Sequence, residues 1–222
     1  MLAQTAVSTN QLGIHEKLPE LVARHKAMPY RKPLHLQSLQ AFDRLLKESE
    51  RRNNPPMILD SCCGAGVSSR KLAYQFPEHL VVGLDHSAHQ LFKNTSHIPT
   101  PQNLLLLQAD CEDMWRLFSG NGLVFDEHYL LYPNPWPRSV QVLRRWHGHP
   151  VFPLLPDLSG TLELRSNWKL YLEEFAFAWA LLTGVQGLVE EVTTTPEFTL
   201  CETRYAKNGQ TLYRLRITPC PH

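Results

Sequence analysis

"ILDSCCGAGVSSRKLA", residues 58–73, reads as a strand end, a glycine turn and the first turns of a helix. An apolar run leads to Asp60. Gly64 and Gly66 follow, in a turn that lets backbone approach a ligand at a helix N-terminus. A full Gly-x-Gly-x-x-Gly is absent, because Cys62 stands where a first glycine would be. No Gly-Lys-Ser/Thr occurs, which argues against a nucleotide-triphosphate P-loop. The next strand, "LVVGLD", ends in Asp85, roughly 20 residues beyond the turn, the spacing at which a carboxylate grips ribose hydroxyls. The third, "NLLLLQAD", ends in Asp110, followed by Cys111. One acid at a strand end is usually a turn or helix cap. Three in succession, at the carboxyl ends where open α/β sheets bind ligands, point to a shared site.

Outward from this stretch, strands and helices alternate. Residues 1–32 read as irregular or partly helical. They carry Arg24, His25, Lys26, Arg31 and Lys32, as a solvated tail or a substrate-contacting arm. "PLHLQSLQAFDRLLKESERR" places Leu36, Leu39, Phe42, Leu45 and Leu46 at helical spacing, and "NNPP" stops it. "MILDS" opens the sheet and "GAGVSSRKLAYQF" runs from turn to helix. After "LVVGLD", "SAHQLFKNT" is a helix opened by a serine cap. "NLLLLQAD", the short helix "CEDMWRLF" and the strand "FDEHYLLYP" come next, then an irregular or helical stretch, residues 138–157. "GTLELRS", the long helix "NWKLYLEEFAFAWALL" and two closing strands, "GLVEEVTT" and "QTLYRLRIT", complete the chain, the last two joined by a long loop, residues 195–209. The pattern predicts an α/β fold with a doubly wound, mainly parallel sheet and an antiparallel C-terminal edge strand. With no repeat, low-complexity block or Gly/Ser linker, the expected organisation is an N-terminal arm, residues 1–32, and a single domain, residues 33–222.

Composition narrows the function. A formal net charge of +1 over 222 residues excludes a uniformly basic nucleic-acid glove, so RNA binding would need a local patch. Five cysteines occur without a Cys-x-x-Cys, and adjacent Cys62 and Cys63 cannot easily bridge. They read as reduced thiols of a cytoplasmic protein. His147 and His149 have no identifiable ligand partners, so no metal is expected. "MLAQTAVSTN" lacks the basic start and apolar core of a signal peptide. "FAFAWALLTGVQGLV" is too short to span a bilayer, so no membrane partner is expected.

The turn and its three acids resemble the Rossmann-like S-adenosylmethionine methyltransferase pattern. A nicotinamide dehydrogenase is the rival, weakened by the missing glycine. The fourth strand sharpens the likeness. In "HYLLYPNPWPRS", residues 128–139, three prolines pin Asn134, Trp136 and Arg138. "YPNPWPR" resembles the Phe-Pro-Asp-Pro-Trp-Pro-Lys segment of the bacterial tRNA (guanine-N7-)-methyltransferase family. "GTLELRSNWKLYLEEF" and "CETRYAKNGQTLYRLRI" are similar to that family's Gly-x-Leu-x-Leu-x-Thr-Asp-Trp-x-x-Tyr and Thr-Lys-Phe-Glu-x-x-Gly segments. The likeness covers about residues 33–218. It implies a Rossmann-like methyltransferase fold, S-adenosyl-L-methionine as cofactor and tRNA as partner. Asp60, Asp85 and Asp110 match cofactor-contacting positions, with Gly64 and Gly66 in the cofactor turn. Asn134 matches the central active-site Asp, beside the transferred methyl. Arg138 matches a substrate-contacting Lys. Ser166 and Asn167 match a Thr-Asp pair whose Asp holds the guanine, and Thr203, Arg204 and Tyr205 match the Thr-Lys-Phe segment. His86 and Cys111, each following an acid, are further cofactor candidates, against readings as a loop histidine and a buried thiol. Trp136 is a stacking platform for a base or a packed aromatic. Trp168, Tyr171, Phe175, Phe177 and Trp179 read as core.

The departures bear on chemistry. Asn134 and Asn167 replace carboxylates, and Ala206 replaces a Glu. The basic run after the tryptophan is thinned to Arg138, Arg144, Arg145, His147 and His149, where the two adjacent arginines are solvated charges or phosphate contacts. Guanine N7 carries a lone pair and no proton, so its methylation needs alignment and support of developing charge rather than a general base. An Asn keeps an acceptor oxygen, adds an NH₂ donor and loses the charge. Asn also pairs in a bidentate way with adenine N6 and N7. Three readings follow: a divergent tRNA guanine-N7 methyltransferase, a methyltransferase of the same fold acting on another base, amine or small molecule, and a non-catalytic partner that binds cofactor or RNA.

Overall fold

The computed structural model describes residues 7–91, 99–192 and 198–218. Cys220, the second half of "SAHQLFKNT" and the end of "GLVEEVTT" lie outside the described residues. Seven strands form one sheet: β1 (Met57–Ser61), β2 (Leu80–Asp85), β3 (Leu104–Gln108), β4 (Phe125–Leu131), β5 (Ser159–Ser166), β6 (Leu188–Glu191) and β7 (Tyr213–Ile217), in the order β3-β2-β1-β4-β5-β7-β6. Around it run α1 (Leu18–Ala27), α2 (Leu36–Arg51), α3 (Val67–Gln75), α4 (Ala88–Leu91), α5 (Cys111–Gly120), α6 (Lys169–Thr183) and α7 (Leu200–Lys207). The chain divides into two compact units. A glycine-turn unit comprises residues 32–131 and 157–160, and a proline-loop unit residues 1–31, 132–156 and 161–222.

In the glycine-turn unit β1 pairs in parallel with β2 and with β4, and β2 with β3. Every residue of β2 is buried, as the unbroken apolar run "LVVGL" requires of a parallel strand covered on both faces. Trp115, Phe118 and Phe125 are fully buried in the same unit, each contributing about 2–3 kcal/mol of apolar burial. α2 forms where its periodicity predicts, but its buried face is Ser38, Ala41, Phe42, Leu45 and Ser49. Leu36, Leu39 and Leu46 are exposed, so the helix is turned from the face its leucines suggest.

In the proline-loop unit β7 runs antiparallel to β5 and to β6. The expected antiparallel C-terminal strand is therefore present, but one place in from the edge. β6 is the outer strand. α6 buries Tyr171, Leu172, Phe175, Ala178 and Trp179, while Phe177 is only half-buried. The helix ends at Gly184, whose φ of 76° is the left-handed cap that glycine adopts without strain. The loop expected over residues 195–209 contains α7 instead. Thr199 accepts from the Glu202 N–H and Glu202 returns the bond to the Thr199 backbone, a capping box that holds the first turn. Residues 139–157 form three short 3-10 turns, Ser139–Arg144, Trp146–Gly148 and Phe152–Asp157. Among the described residues no helix is long and apolar enough to cross a membrane.

Candidate functional site

Parallel pairing brings the carboxyl ends of β1, β2 and β3 to one end of the glycine-turn unit. Asp85 closes β2 there. Its Oδ2 accepts the Gly64 N–H at 2.9 Å and its Oδ1 the Ser87 N–H at 2.8 Å. One carboxylate thus fastens the glycine turn to the strand end. Gly64 has a φ of 58°, and a side-chain carbon built on it would meet nothing within 4 Å. The turn opens at Gly64 onto free space. Cys62, at the missing glycine's position, has a φ of 61°, a left-handed conformation that costs an L-residue about 1–2 kcal/mol. Gly83, which sequence reasoning passed over, is needed for packing: a side chain there would come within 2.6 Å of Leu106 and Ser69.

Asp60 is fully buried. Its Oδ2 accepts the hydroxyls of Ser68 and Ser69, at 2.7 and 2.6 Å, and so ties β1 to the start of α3. Its Oδ1 has no hydrogen-bond partner among the described residues. Burial pushes this carboxyl up to about 6 against the two hydroxyls, with the charge of Asp85 adding to the rise. Asp110 is half-exposed, and its Oδ2 lies 3.0 Å from His35 Nδ1. The same nitrogen is 2.8 Å from the buried Asp113, which also accepts the His35 N–H. His35 and Asp113 were missed in the sequence because one caps α2 and the other reads as an ordinary helix-start acid. Cys111 is buried, with its sulfur 3.7 Å from that of Cys62. The hydrogen bond to Cys111, and then burial, hold the Cys62 thiol well above its ordinary range. His86 is exposed, its Nδ1 3.7 Å from Asp85 Oδ1.

The remaining candidates lie in the proline-loop unit. Asn134 is exposed, and its Oδ1 approaches the Trp136 N–H at 3.4 Å. Tyr132 and Trp136, on either side, have φ of 55° and 45°. Trp136 is half-buried and carries the Arg144 guanidinium 4.8 Å above its ring. Arg138 is exposed. Asn167 is half-buried and donates to Gln210 Oε1 at 2.7 Å. It lines a cavity of about 440 Å³ with Gln11, Trp168 and Tyr213, and Asn134 is not part of that lining. Thr203, Arg204 and Tyr205 lie on α7. Thr203 bonds back to Thr199 O at 3.2 Å, Arg204 sits over the Tyr205 ring at 5.2 Å, and Tyr205 is 5.7 Å from Tyr132.

Two buried charge groups stand behind these residues. Glu202, which caps α7, accepts from the Tyr132 hydroxyl at 3.0 Å and from Arg165 at 2.7 Å. Arg165 also reaches Glu163 at 2.7 Å. Burial, and next the charge of Glu202, push the Tyr132 phenol well above its ordinary range. In the second group Arg145, Glu174 and His147 are all fully buried. Arg145 is therefore neither of the two roles the sequence offered. Burial would raise the Glu174 carboxyl, but His147 and Arg145 outweigh it and hold it at about 2. A signal for this group existed: Glu174 falls between Tyr171 and Ala178 on the apolar face of α6.

A family model described as "Putative methyltransferase" matches residues 54–215. A tRNA (guanine-N(7)-)-methyltransferase of Streptococcus equi subsp. zooepidemicus (strain MGCS10565) is 25% identical over 178 residues, 75% of this chain and 82% of that protein. Among solved structures, the 16S rRNA methyltransferase KamB superposes with a TM-score of 0.58 at 18% identity, covering 79% of this chain and 94% of its own. A point mutant of the 16S rRNA (adenine(1408)-N(1))-methyltransferase from Catenulisporales acidiphilia, solved with the cosubstrate SAM, gives 0.53 at 17% identity, covering 100% of this chain and 96% of its own. At these identities the structural likeness speaks for a shared Rossmann-like fold.

Proposed function

This chain belongs to the methyltransferase family that its residues 54–215 match, and from that premise we propose that it transfers a methyl from S-adenosylmethionine to tRNA, with guanine N7 as the acceptor. The name of the streptococcal relative supports the acceptor. The observation that carries the cofactor is the Asp85 carboxylate fastening the Gly64 amide at the end of β2. Gly64 leaves open space there. Asp85 has spent one lone pair of each oxygen on Gly64 and Ser87, so each oxygen keeps a second for a ribose hydroxyl. The half-exposed Asp110 would hold the adenine amine. These residues fit the cofactor, which when bound supplies an electrophilic methyl on a sulfonium.

The chain's own work is then placement. Guanine N7 offers its lone pair directly, so no residue need remove a proton, and alignment can supply much of the rate. Asn134 would steady the purine through its amide. Arg138 and Arg204, both exposed, would meet phosphates. A second reading, methylation of another base, is favoured by the Asn167 amide. Its donation to Gln210 orients it, and an oriented amide suits a base edge bearing one donor and one acceptor, as adenine does.

The test is nucleoside mass spectrometry of tRNA incubated with the protein and S-adenosylmethionine. Appearance of 7-methylguanosine is expected. A methylated adenosine without it would move the assignment to the second reading. Cofactor binding with no methylated nucleoside would sink both.

A further inference from the structure

Three successive backbone carbonyls of the proline loop are capped from elsewhere in its own unit. Arg145 Nε donates to Trp136 O at 3.1 Å, and Arg145 Nη2 to Arg138 O at 3.2 Å. Between them, the Thr9 hydroxyl donates to Pro137 O at 2.7 Å. Asn10 takes the next amide, that of Ser139, at 3.0 Å.

The capping arginine is itself held on every side. Its Nη1 donates to Glu174 Oε2 and, at 3.0 Å, to Gln11 Oε1. Its guanidinium lies 4.9 Å from the Trp168 ring centre. Glu174 also accepts from His147 Nε2 at 3.0 Å, from the Gln11 amide and from the His15 N–H at 2.8 Å. Charges so completely removed from water are costly, and as a source of stability a buried ion pair is often no better than apolar packing. What this group does beyond packing is point two donors at the loop. The loop needs them, since Tyr132 and Trp136 hold left-handed conformations. Such residues persist only where the surroundings over-determine them.

We propose that Arg145 is a positioning residue of the acceptor site, and that residues 9–11 of the N-terminal segment are part of the same frame. Together they lock the backbone of residues 136–139 so that Asn134 and Arg138 face solvent in one fixed arrangement. Arg145 touches no substrate in this scheme; it acts through the loop. The proposal rests on reading that loop as the acceptor site.

Hydrogen exchange and steady-state kinetics of Thr9→Val and Arg145→Lys test it. Thr9 is exposed, so its variant removes one carbonyl cap, together with the bond its hydroxyl accepts from the Gln11 N–H at 3.0 Å, and leaves every buried side chain in place. Lysine keeps the charge of Arg145, but its donors sit on one nitrogen and cannot stand where Nε, Nη1 and Nη2 each stand. Both variants should bind S-adenosylmethionine as the wild type does. Exchange at the Trp136 and Arg138 amides should quicken at least about fivefold. At unchanged KM for the cofactor, kcat/KM for tRNA should fall about tenfold in Thr9→Val and about a hundredfold in Arg145→Lys. A merely structural role would lower the melting temperature and leave those ratios alone. Should Arg145→Lys fail to fold, Thr9→Val decides: wild-type exchange with wild-type kcat/KM overturns the proposal. If the wild type methylates no RNA, the functional reading fails separately. The exchange data then judge the frame alone, and unchanged exchange in both variants overturns it.

Discussion

His128 is fully buried in β4, and the Ser61 hydroxyl lies 2.9 Å from its Nε2. The Trp115 indole N–H donates to that same hydroxyl at 3.1 Å. Burial lowers His128 to about 3. Its stabilising contribution is present above pH 6.5 and is lost as pH falls toward 3. Asp60 behaves oppositely. Raised to about 6, it contributes most below pH 4, and that contribution is lost as pH rises through 6. Between pH 4 and 6 the two nearly cancel. His128→Gln should therefore make stability fall with rising pH, relative to wild type, by about 1.4 kcal/mol per unit, and Asp60→Asn should make it rise by the same slope. Urea midpoints taken across that window check both signs. At this scale the sequence was legible in placement: Asp60 and Asp85 fall at the ends of their strands, while Asp110 lies two residues past β3 and caps α5. It misplaced Arg145 at the surface and was silent on His35, because their roles depend on partners 29 and 78 positions away.

Helix α7 shows what one element asks of its first turn. Thr199 and Glu202 satisfy each other's backbone donors, and Glu202 additionally receives Tyr132 and Arg165. Thr199→Ala should cost about 1 kcal/mol, the worth of a cap. Glu202→Ala strips the cap and leaves the half-buried Arg165 with one carboxylate, for about 3 kcal/mol. Urea unfolding should rank the two in that order, and a larger loss from Thr199→Ala would contradict it. Because α7 carries Thr203, Arg204 and Tyr205, tRNA affinity should weaken with Glu202→Ala more than cofactor affinity does. The capping box was legible as Thr-x-x-Glu, but a threonine- and proline-rich lead-in made the segment read as loop. In α2 the helical period was right and the face was not, because Ser38 and Ser49 are buried while three leucines are left outside.

Taken whole, the molecule pairs a near-neutral charge with exposed cations on the proline-loop unit, of which Arg138 lies on the proline loop and Arg204 and Lys207 on α7. Neutralising about three or four phosphates predicts that log affinity for tRNA falls against log salt with a slope of about −3. A filter-binding series from low to high salt measures it, and a slope near −8 would contradict it. Saturating S-adenosylmethionine, at about a hundred times its dissociation constant, should add about 2.7 kcal/mol. For a chain of this size that is a rise of roughly 5–10 °C in melting temperature. The fold class was legible because strand–helix alternation leaves few alternatives. The interior place of β7 was not, because two consecutive strands at a chain end suggest a plain hairpin. That place has a temporal consequence. β7 leaves the ribosome after both of its neighbours, β5 and β6, and among the described strands β6 pairs with β7 alone. Until β7 emerges, β5 and β6 present open hydrogen-bonding edges to the cell. Chaperone demand during synthesis, and intolerance of a proline within the strand, should both follow from the position of five residues, Tyr213–Ile217.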